Sequence, residues 1–367
     1  MKKIKILLTV LVFAICLGNN TNGVSAMGIS SQCGILMEQS TGRVLYEKCA
    51  DDQMYIASIT KILTTIVAIE NADLDAWVEV SDNVTRQVGS SLYLALGDQV
   101  KLIDLLYGLM LRSGNDAAMA IAEFVGGDEE GFVKMMNEKA KEIGMVNSIF
   151  QNPSGLDETT YNLSTARDMA LVMQYAMNNP IFREITGTKT HKATSKNGTN
   201  YVWHNKHKLV TGYYEYAIGG KTGFTVQARR TLVTSARKDD MELVVVTLKA
   251  GDDWNDHMSL FNYGFDNYEV QTVIEPGEIQ VVDQALNDKL YVEKQVNVVV
   301  NKDGSETVTT NLSLYEEAKG NEVGVLQVLM NGEIQQEIPV YKAITPEVKE
   351  QSWFDKLKNW FTGAVSF

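Results

Sequence analysis

Three short motifs carry residue types that could together perform nucleophilic catalysis: Ser58–Lys61, Ser113–Asn115 and Lys221–Gly223. A serine hydroxyl at its ordinary pKa is a weak nucleophile and needs an adjacent base. Because residues three apart on a helix are neighbours, Lys61 can place its amine beside the oxygen of Ser58. That amine must be largely neutral to accept a proton, and burial together with a second cation such as Lys221 favours the neutral form. The pattern predicts Ser58 as nucleophile and Lys61 as its general base.

Each motif also has a purely structural interpretation. Ser58 could be an ordinary helix N-cap and Lys61 a solvated charge, although an ammonium group is costly within a helix that is otherwise apolar. Ser113–Asn115 could be a helix C-terminus with its glycine, and Lys221–Gly223 could be a turn after a strand. The combination of the three motifs, in this order, is what points to a catalytic site.

The same spacings occur elsewhere in the chain. Ser235–Lys238 repeats the first motif, and Ser81–Asn83 and Ser195–Asn197 repeat the second. Ser235 is predicted to lie in a strand, where a three-residue offset points two side chains to opposite faces. This copy therefore cannot form a serine–lysine pair.

The elements that must position the motifs are a hairpin, a block of helices and a closing set of strands. The hairpin is predicted between Cys33 and Cys49, an apolar helix is predicted to begin at Ser58, and Ser164 or Thr165 is predicted to cap a later helix. Strands at both ends with helices between them indicate one α+β domain. The remaining predicted elements are helices over residues 102–111, 117–125, 130–143, 166–177 and 254–265, and strands over 216–220, 230–236 and 243–248.

A second, all-β domain is predicted after Tyr268, where short β-rich runs alternate with glycine and charged turns. These runs cover residues 296–300, 308–314, 323–330 and 338–341. We therefore predict four parts of the chain: a signal peptide at 1–26, the domain with the motifs at 27–268, the all-β domain at 269–345 and an amphipathic helix at 346–367.

The two ends carry targeting patterns. Lysines at the start precede an apolar run from Ile6 to Gly18 and the small-residue site Val24–Ala26, which is typical of a cleaved signal peptide. At the other end, a helical wheel predicts an amphipathic helix that lies in the membrane surface, with docking on the β domain as the alternative. Its apolar face consists of Trp353, Phe354, Leu357, Trp360, Phe361, Ala364 and Val365.

The net charge of the chain argues against nucleic acid as a binding partner. The net charge of −13 offers no basic face for nucleic acid.

If Ser40–Gly42 is a three-residue hairpin loop, Gln39 faces Arg43 and Cys33 faces Cys49. That register predicts a disulfide in an exported protein, with separate use of the cysteines as small buried hydrophobes as the alternative.

The motifs and their surroundings resemble the penicillin-recognising serine peptidases, and among them the low-molecular-weight D-alanyl-D-alanine carboxypeptidases. The resemblance covers about residues 29–268, and the β domain with its terminal helix matches the usual appendage of the family. The segments whose sequences are similar to those of the family are residues 57–64, 109–118, 136–139, 142–145, 152–156, 163–170 and 220–225.

The resemblance implies a serine β-lactamase/DD-peptidase-like catalytic domain, an antiparallel sheet with helices plus a helical cluster. It also implies removal of the terminal D-alanine from peptidoglycan stem pentapeptides through an acyl-enzyme on Ser58, with inhibition by β-lactam antibiotics. The implied location is the outer face of the cytoplasmic membrane. No cofactor, metal or nucleic acid is implied, and the four histidines match no motif: His191, His204, His207 and His257.

Roles follow from the resemblance position by position. Ser58 is acylated, Lys61 is its base, and Ser113 relays a proton toward the leaving D-alanine. Asn115 holds Lys61 and the substrate amide. The terminal carboxylate binds to Lys221 and Thr222, next to Gly223, and the backbone N–H groups of Ser58 and Phe224 form an oxyanion hole.

Two positions depart from the family, and two rival functions stay open. Arg229 stands where many relatives carry a glycine, and Asp252–Asp256 stands where many place an arginine before the last helix. Carboxylate binding would then depend more on Lys221 and Thr222, or on Arg229. The rivals are a β-lactamase, in which Glu158 would activate water, and a catalytically silent wall-binding protein; we expect Glu158 to be an exposed loop residue.

Overall fold

The computed structural model describes residues 3–5, 28–279 and 289–342. The predicted helix at 346–367 lies outside these residues, as does the predicted leader apart from Lys3–Lys5. The described residues divide into two compact units: one comprises residues 28–271 with Asn297–Asp303, and the other comprises residues 3–5, 272–279, 289–296 and 304–342. The domain boundaries given above stay predictions. Within the described ranges, no helix is both long enough and apolar enough to cross a bilayer.

The helices of the larger unit follow the predicted block closely. A 3-10 turn at Ala57–Thr60 precedes the first α-helix, and a π-helical turn covers Leu209–Tyr213. The α-helices are α1 Lys61–Asn71, α2 Asp82–Thr85, α3 Leu102–Arg112, α4 Asn115–Gly126, α5 Glu129–Ile143, α6 Ala166–Met177, α7 Pro180–Gly187 and α8 Asp253–Asn267.

The strands begin with a short segment at Lys3–Lys5 and dominate the chain after residue 267. In chain order they are β1 Lys3–Lys5, β2 Cys33–Glu38, β3 Val44–Lys48, β4 Met54–Tyr55, β5 Trp77–Glu79, β6 Gln99–Lys101, β7 Leu163–Ser164, β8 Thr190–Thr194, β9 Asn200–His204, β10 Ala217–Thr225, β11 Arg229–Lys238, β12 Met241–Ala250, β13 Tyr268–Ile274, β14 Gly277–Ile279, β15 Leu290–Val292, β16 Val296–Asn301, β17 Val308–Lys319, β18 Glu322–Met330 and β19 Glu333–Lys342.

An antiparallel five-stranded sheet organises the larger unit, in the order β10-β11-β12-β2-β3. Its central strand β12 is buried at every residue from Met241 to Leu248. One face packs against α8 through Leu260 and Phe261, and the other packs against α6. An apolar run covered on both faces is what a central strand requires, so the prediction of a strand over residues 243–248 is confirmed.

The helical block packs as one apolar core beside the sheet. It joins buried side chains of α1, α3, α4, α5 and α6. Thr165 caps α6, because its hydroxyl oxygen accepts a 3.0 Å hydrogen bond from the backbone nitrogen of Asp168. The predicted cap is confirmed, with Thr165 rather than Ser164 in that role.

The smaller unit contains a six-stranded sheet in the order β1-β17-β18-β19-β15-β14. Alternate residues of β18 are buried, which is the pattern of a strand covered on one face. Its apolar cluster contains Leu290, Val292, Leu312, Leu326 and Val340. The prediction of an α+β fold followed by an all-β region is confirmed.

In the hairpin of β2 and β3, Cys33 lies opposite Cys49 as predicted, but the two cysteines do not form a disulfide. Glu38 pairs with Arg43 around a four-residue loop, and not a three-residue one. A register shift next to Met37 then restores the pairing of Gly34 with Lys48, one residue from Cys33 and Cys49. Both thiols are free, although Cys33, Cys49 and Asp52 have ligand atoms within 4.8 Å of one another. The predicted disulfide is therefore wrong for this structure.

Candidate active site

Ser58, the predicted nucleophile, lies in the 3-10 turn rather than at the start of the α-helix. Residues i and i+3 eclipse one another in a 3-10 helix, so this turn brings Ser58 and Lys61 closer together than the predicted α-helix would. Ala57 takes a left-handed conformation with φ of 50°. A side chain on Gly155 would place its Cβ 1.9 Å from the carbonyl oxygen of Ala57. The turn therefore depends on a glycine at residue 155.

The amine of Lys61 is fully buried and lies among three oxygens. Its Nζ lies 3.1 Å from Oγ of Ser58, 2.8 Å from Oδ1 of Asn115 and 2.5 Å from the carbonyl oxygen of Ser154. The amide and carbonyl oxygens can only accept hydrogen bonds. A neutral amine has two hydrogens for these two acceptors, so its lone pair is left for the hydroxyl hydrogen of Ser58. This is the geometry of a general base.

Two further lysines favour the neutral form of this amine. Burial, followed by the charges of Lys221 and Lys206, lowers the pKa of Lys61 well below its ordinary value. Burial, followed by the charge of Lys206, lowers the pKa of Lys221 to about 7. The prediction that Lys221 supplies the second cation near Lys61 agrees with this arrangement, and the role of Lys206 was not foreseen.

The second motif is held at the junction of α3 and α4. Ser113 ends α3 in a left-handed conformation with φ of 67°, and its Oγ accepts a 3.1 Å hydrogen bond from Nζ of Lys221. The glycine that was considered as the C-cap, Gly114, instead has φ of −58°. The unfavourable conformation therefore falls on the serine that faces the cleft.

Asn115 begins α4 and is bonded on three sides. Its backbone nitrogen donates to the carbonyl oxygen of Ser90 at 2.7 Å, and its Nδ2 donates to that of Val88 at 2.7 Å. The next residue, Asp116, accepts from Oγ of Ser91 at 2.6 Å and from the backbone nitrogen of Leu92 at 2.9 Å. The buried carboxylate of Asp116 thus fixes the segment beside the motif, a role that sequence reasoning missed.

The third motif lies on β10, the edge strand beside Ser58. A Cβ on Gly223 would come 2.4 Å from Oγ1 of Thr231 and 3.0 Å from the backbone nitrogen of Ser58. Glycine at this position therefore permits the close approach of strand and turn. The hydroxyl of Thr231 also donates to the carbonyl oxygen of Ile56 at 3.0 Å, which ties β11 to the same turn.

A cleft of about 350 Å³ opens where the three motifs meet. Thr222 is partly exposed there, and Phe224 is 62% exposed. The lining combines motif residues with others that sequence reasoning did not assign: Ser58, Ser90, Ser113, Lys206, Thr222, Gly223, Phe224, Arg230, Asp253 and Trp254. The predicted site residues are therefore brought together, and Lys206, Arg230 and Asp253 join them.

A buried chain of histidine and threonine side chains runs under β10 and β11. Nε2 of His207 lies 3.0 Å from Oγ1 of Thr234, which lies 2.9 Å from Nδ1 of His257. Nε2 of His257 lies 2.9 Å from Oγ1 of Thr247. Burial lowers the pKa of His207 to about 4. These two histidines are structural, as expected.

The other two histidines lie on the β8–β9 hairpin. His191 contacts Oδ1 of Asp104 at 2.6 Å and stacks on Tyr107. His204 is exposed, with Nδ1 3.0 Å from Oγ1 of Thr190. Neither residue lines the cleft that holds the motifs.

Comparisons with known proteins agree on one family. A family model described as D-alanyl-D-alanine carboxypeptidase matches residues 20–252. The D-alanyl-D-alanine carboxypeptidase DacF of Bacillus subtilis is 29% identical over 353 residues, which cover 91% of this chain and 90% of the relative. The D-alanyl-D-alanine carboxypeptidase DacC of Escherichia coli is 31% identical over 365 residues, covering 91% and 88%.

Solved structures show the same likeness. The D-alanyl-D-alanine carboxypeptidase of Mycobacterium tuberculosis has 31% identity and a TM-score of 0.62, and the match covers 66% of this chain and 95% of that one. Penicillin binding protein 5 of Haemophilus influenzae has 26% identity and a TM-score of 0.74, covering 87% and 98%. The second match extends the likeness beyond the larger unit.

Proposed function

Because the chain belongs to the D-alanyl-D-alanine carboxypeptidase family, we propose that Ser58 attacks the bond between the two terminal D-alanine residues of a peptidoglycan stem peptide. The resemblance recognised in the sequence is confirmed, and the protein is a serine-type D-Ala-D-Ala carboxypeptidase. β-Lactam antibiotics react with the same site in this family. The roles of individual residues are those that the resemblance implies, and the hydrogen bonds around Lys61 support them.

Acylation begins when Lys61 accepts the hydroxyl proton of Ser58. The serine oxygen bonds to the carbonyl carbon of the penultimate D-alanine, and the negative oxygen is stabilised by the backbone N–H groups of Ser58 and Phe224. The proton then passes through Ser113 to the nitrogen of the terminal D-alanine, and the peptide bond breaks. The products are free D-alanine and an acyl ester on Ser58.

Deacylation repeats these steps with water. Lys61 accepts a proton from a water molecule whose oxygen attacks the ester carbonyl, and the same proton returns to Oγ as Ser58 leaves. The shortened peptide departs with a new carboxyl group. Lys221 and Thr222 hold the substrate's terminal carboxylate during acylation, and Asn115 holds the substrate amide while it orients Lys61.

The position of the Lys61 amine carries this proposal. Burial and the neighbouring lysines lower the pKa of Lys61, and a neutral amine that donates to Asn115 and Ser154 presents its lone pair to the Ser58 hydroxyl. The test is intact-mass spectrometry after exposure to benzylpenicillin, combined with D-alanine release from a peptide ending in D-Ala-D-Ala. We expect one penicilloyl adduct and D-alanine release in wild type, and neither in Ser58→Ala. Adduct formation in Ser58→Ala would refute the assignment of the nucleophile.

In the commonest serine β-lactamases on this fold, a glutamate activates water near the acyl ester. Glu158 is exposed in the loop between α5 and α6, as expected from the sequence. The neighbouring Asp157 instead accepts a 2.6 Å hydrogen bond from Oγ1 of Thr225. A solvated carboxylate in a loop is not held near the acyl ester, so it does not activate water there. The penicilloyl adduct should therefore be long-lived. A silent wall-binding protein would have no need for a buried lysine beside a serine that opens to the cleft.

We also propose export and attachment to the membrane surface, from the sequence patterns at both ends. The aromatic face of residues 353–365 suits the interface between head groups and acyl chains, and Lys356 and Lys358 can extend toward the head groups. Deletion of residues 352–367 should release the protein from membranes and leave activity on a soluble peptide intact. Unchanged membrane retention after the deletion would refute this part of the proposal.

A further inference from the structure

Two thiols and one carboxylate meet beside the open end of the β2–β3 hairpin. The ligand atoms of Cys33, Cys49 and Asp52 all lie within 4.8 Å of one another, and both cysteines are free. In a tetrahedral zinc site two sulfur ligands lie about 3.8 Å apart, because each Zn–S bond measures about 2.3 Å. Shifts of about 1 Å or less would therefore place the three atoms around one cation.

The chain brings these ligands together from two sides. Cys33 begins β2, and its side chain is buried. Cys49 directly follows β3, and Asp52 comes three residues later in a turn, where its backbone nitrogen donates to the carbonyl oxygen of Cys49 at 3.1 Å. Zinc sites commonly use two ligands at this spacing. The turn thus supplies a chelating pair, and the buried thiol closes the site from the neighbouring strand.

Solvent reaches this site from one side. Cys49 and Asp52 are exposed, whereas Cys33 is buried. A cation can therefore enter between the two exposed ligands and reach the buried thiol. With three ligands from the protein, the fourth position of a tetrahedral site faces solvent and is left for water.

Two neighbouring aspartates differ in their partners, and only one of them is committed elsewhere. Asp51 accepts a 2.8 Å hydrogen bond from Nε of Arg167 and forms an ion pair with it. Among the described residues, the carboxylate of Asp52 has neither a hydrogen bond nor an ion pair. The adjacent cation, Lys48, donates to two backbone carbonyl oxygens, at 2.7 and 3.2 Å. The carboxylate of Asp52 is therefore available to a cation.

We propose that Cys33, Cys49 and Asp52 bind one thiophilic divalent cation, and that Zn²⁺ is the ion that this donor set fits. Thiolate ligands select Zn²⁺ over Mg²⁺ and Ca²⁺, which are bound through oxygen. Binding releases the two thiol protons to solvent. The cation joins the first residue of β2 to the turn after β3, so it crosslinks the hairpin where the structure has no disulfide. This site is independent of the proposed catalytic function.

The test uses the full chain, reduced, freed of metal with a chelator, and then titrated with Co²⁺. Thiolates bound to Co²⁺ give a charge-transfer band in the near ultraviolet, which surface histidines and carboxylates do not give. We expect one Co²⁺ per chain with this band, and its loss when Zn²⁺ displaces the cobalt. Saturation with Zn²⁺ should also raise the melting temperature by at least about 4 °C, because the ion binds the folded state.

Asp52→Asn and Asp51→Asn form a matched pair, since each removes one negative charge from the same exposed turn. Asp52→Asn should weaken Co²⁺ binding at least about 10-fold, the lower end of the loss expected when a metal site is disturbed. Asp51→Asn should leave the affinity nearly unchanged. Cys49→Ser should lose the charge-transfer band at the Co²⁺ concentration that saturates wild type. Because Cys49 is exposed, this variant also covers the case that Cys33→Ser does not fold.

Two outcomes of the titration would overturn the proposal. One is the absence of the charge-transfer band in reduced wild type. The other is equal weakening by the two aspartate variants, which would assign the effect to the general charge of the turn.

Oxidation in air separates the metal site from a disulfide between the same thiols. Intact mass is followed after removal of the reductant, with and without Zn²⁺, and a disulfide lowers the mass by two hydrogen atoms. We expect Zn²⁺ to protect both thiols. A disulfide that forms equally fast in the presence of Zn²⁺ would overturn the proposal and identify the pair as a redox crosslink.

Discussion

The α-carbon of Gly155 packs against the carbonyl oxygen of Ala57, so closely that a Cβ on the glycine would lie 1.9 Å from that oxygen. The residue after Ala57 is Ser58, the proposed nucleophile, and the residue before Gly155 supplies a carbonyl oxygen to Lys61. One backbone contact thus sets the positions of both Ser58 and Lys61. Stability and acylation should therefore respond together when this contact is disturbed.

Gly155→Ala tests this contact against a glycine of similar backbone conformation. Gly155 has φ of 78°, and Gly198, in the turn between β8 and β9, has φ of 87° with open space around it. Both alanine variants should lose about 1–2 kcal/mol from the left-handed conformation. Gly155→Ala should lose about 1–3 kcal/mol more through overpacking. Urea unfolding measures both, and equal losses would contradict the argument.

Lys206→Met should move the acidic limb of the pH profile for penicillin acylation to higher pH. Lys206 helps to lower the pKa of Lys61, and acylation needs the neutral amine, so the rate rises with pH through that pKa. Without the charge of Lys206, the amine stays protonated to a higher pH. Lys208→Met, two residues away and exposed, is the control. An unshifted profile in Lys206→Met would show that its charge does not reach Lys61.

Lys221 should make the stability of the protein depend on pH in a defined window. Its pKa is about 7 in the folded protein, against 10.5 as the ordinary value. Between these values the unfolded chain binds the proton and the folded chain does not, so the free energy of unfolding rises with pH across the window. Below about pH 7 the cost of burying the charge is fully present.

Lys221→Met should therefore melt at a higher temperature than wild type at pH 6, by at least about 4 °C. The difference should shrink as the pH rises toward 10. Lys134→Met, on an exposed face of α5, should show no such trend. Melting temperatures from calorimetry across this range decide the matter, and a pH-independent difference would argue against a buried lysine with a lowered pKa.

Glu158→Gln should leave the lifetime of the penicilloyl adduct unchanged. Glu158 is exposed, and a carboxylate that activated water would contribute about 10²- to 10⁴-fold to hydrolysis. We expect the wild-type adduct to persist for minutes or longer in a time course of intact mass. A wild-type adduct that turns over many times per second, and is stabilised by this substitution, would identify a β-lactamase.

Local sequence patterns predicted the helices and the central strands, because the apolar and capping residues of these segments show which positions are buried and where a helix begins. The buried run of β12 and the capped start of α6 at Thr165 are examples. The β8–β9 hairpin was not predicted. Its strands contain lysine, threonine and asparagine, and Tyr201 and Trp203 are buried against neighbouring elements. Only tertiary packing distinguishes such strands from a polar loop.

The site residues could be predicted where reactive side chains are close together in the sequence. They could not be predicted where the site uses a backbone group that is far away in the sequence. Ser58 and Lys61 are three residues apart and could be paired from the sequence. Ser154 contributes a backbone carbonyl 93 residues away from Lys61, which no side-chain pattern can reveal. Arg230 and Lys206 are ordinary cations in the sequence, and only the register of β10 with β11 and the packing of the loop before His207 bring them to the cleft.

The buried chain of His207, Thr234, His257 and Thr247 links two imidazoles through a shared hydroxyl group. The backbone nitrogen of Val210 donates to Nδ1 of His207 at 3.5 Å, and Nε2 of that ring faces the carbonyl oxygen of Val233 at 3.2 Å. This arrangement fits a neutral His207 that is protonated at Nε2. Thr234 has a single hydroxyl hydrogen, so it can donate to only one of the two rings that its Oγ1 contacts.

The hydroxyl group of Thr234 contacts both imidazoles, so it couples the orientation of His207 to that of His257. In nitrogen NMR spectra Thr234→Val should change the signals of both imidazoles, because the hydroxyl group that joins them is lost. The layer beneath β11 is thus polar, and burial, which lowers the pKa of both imidazoles, keeps this layer without charge.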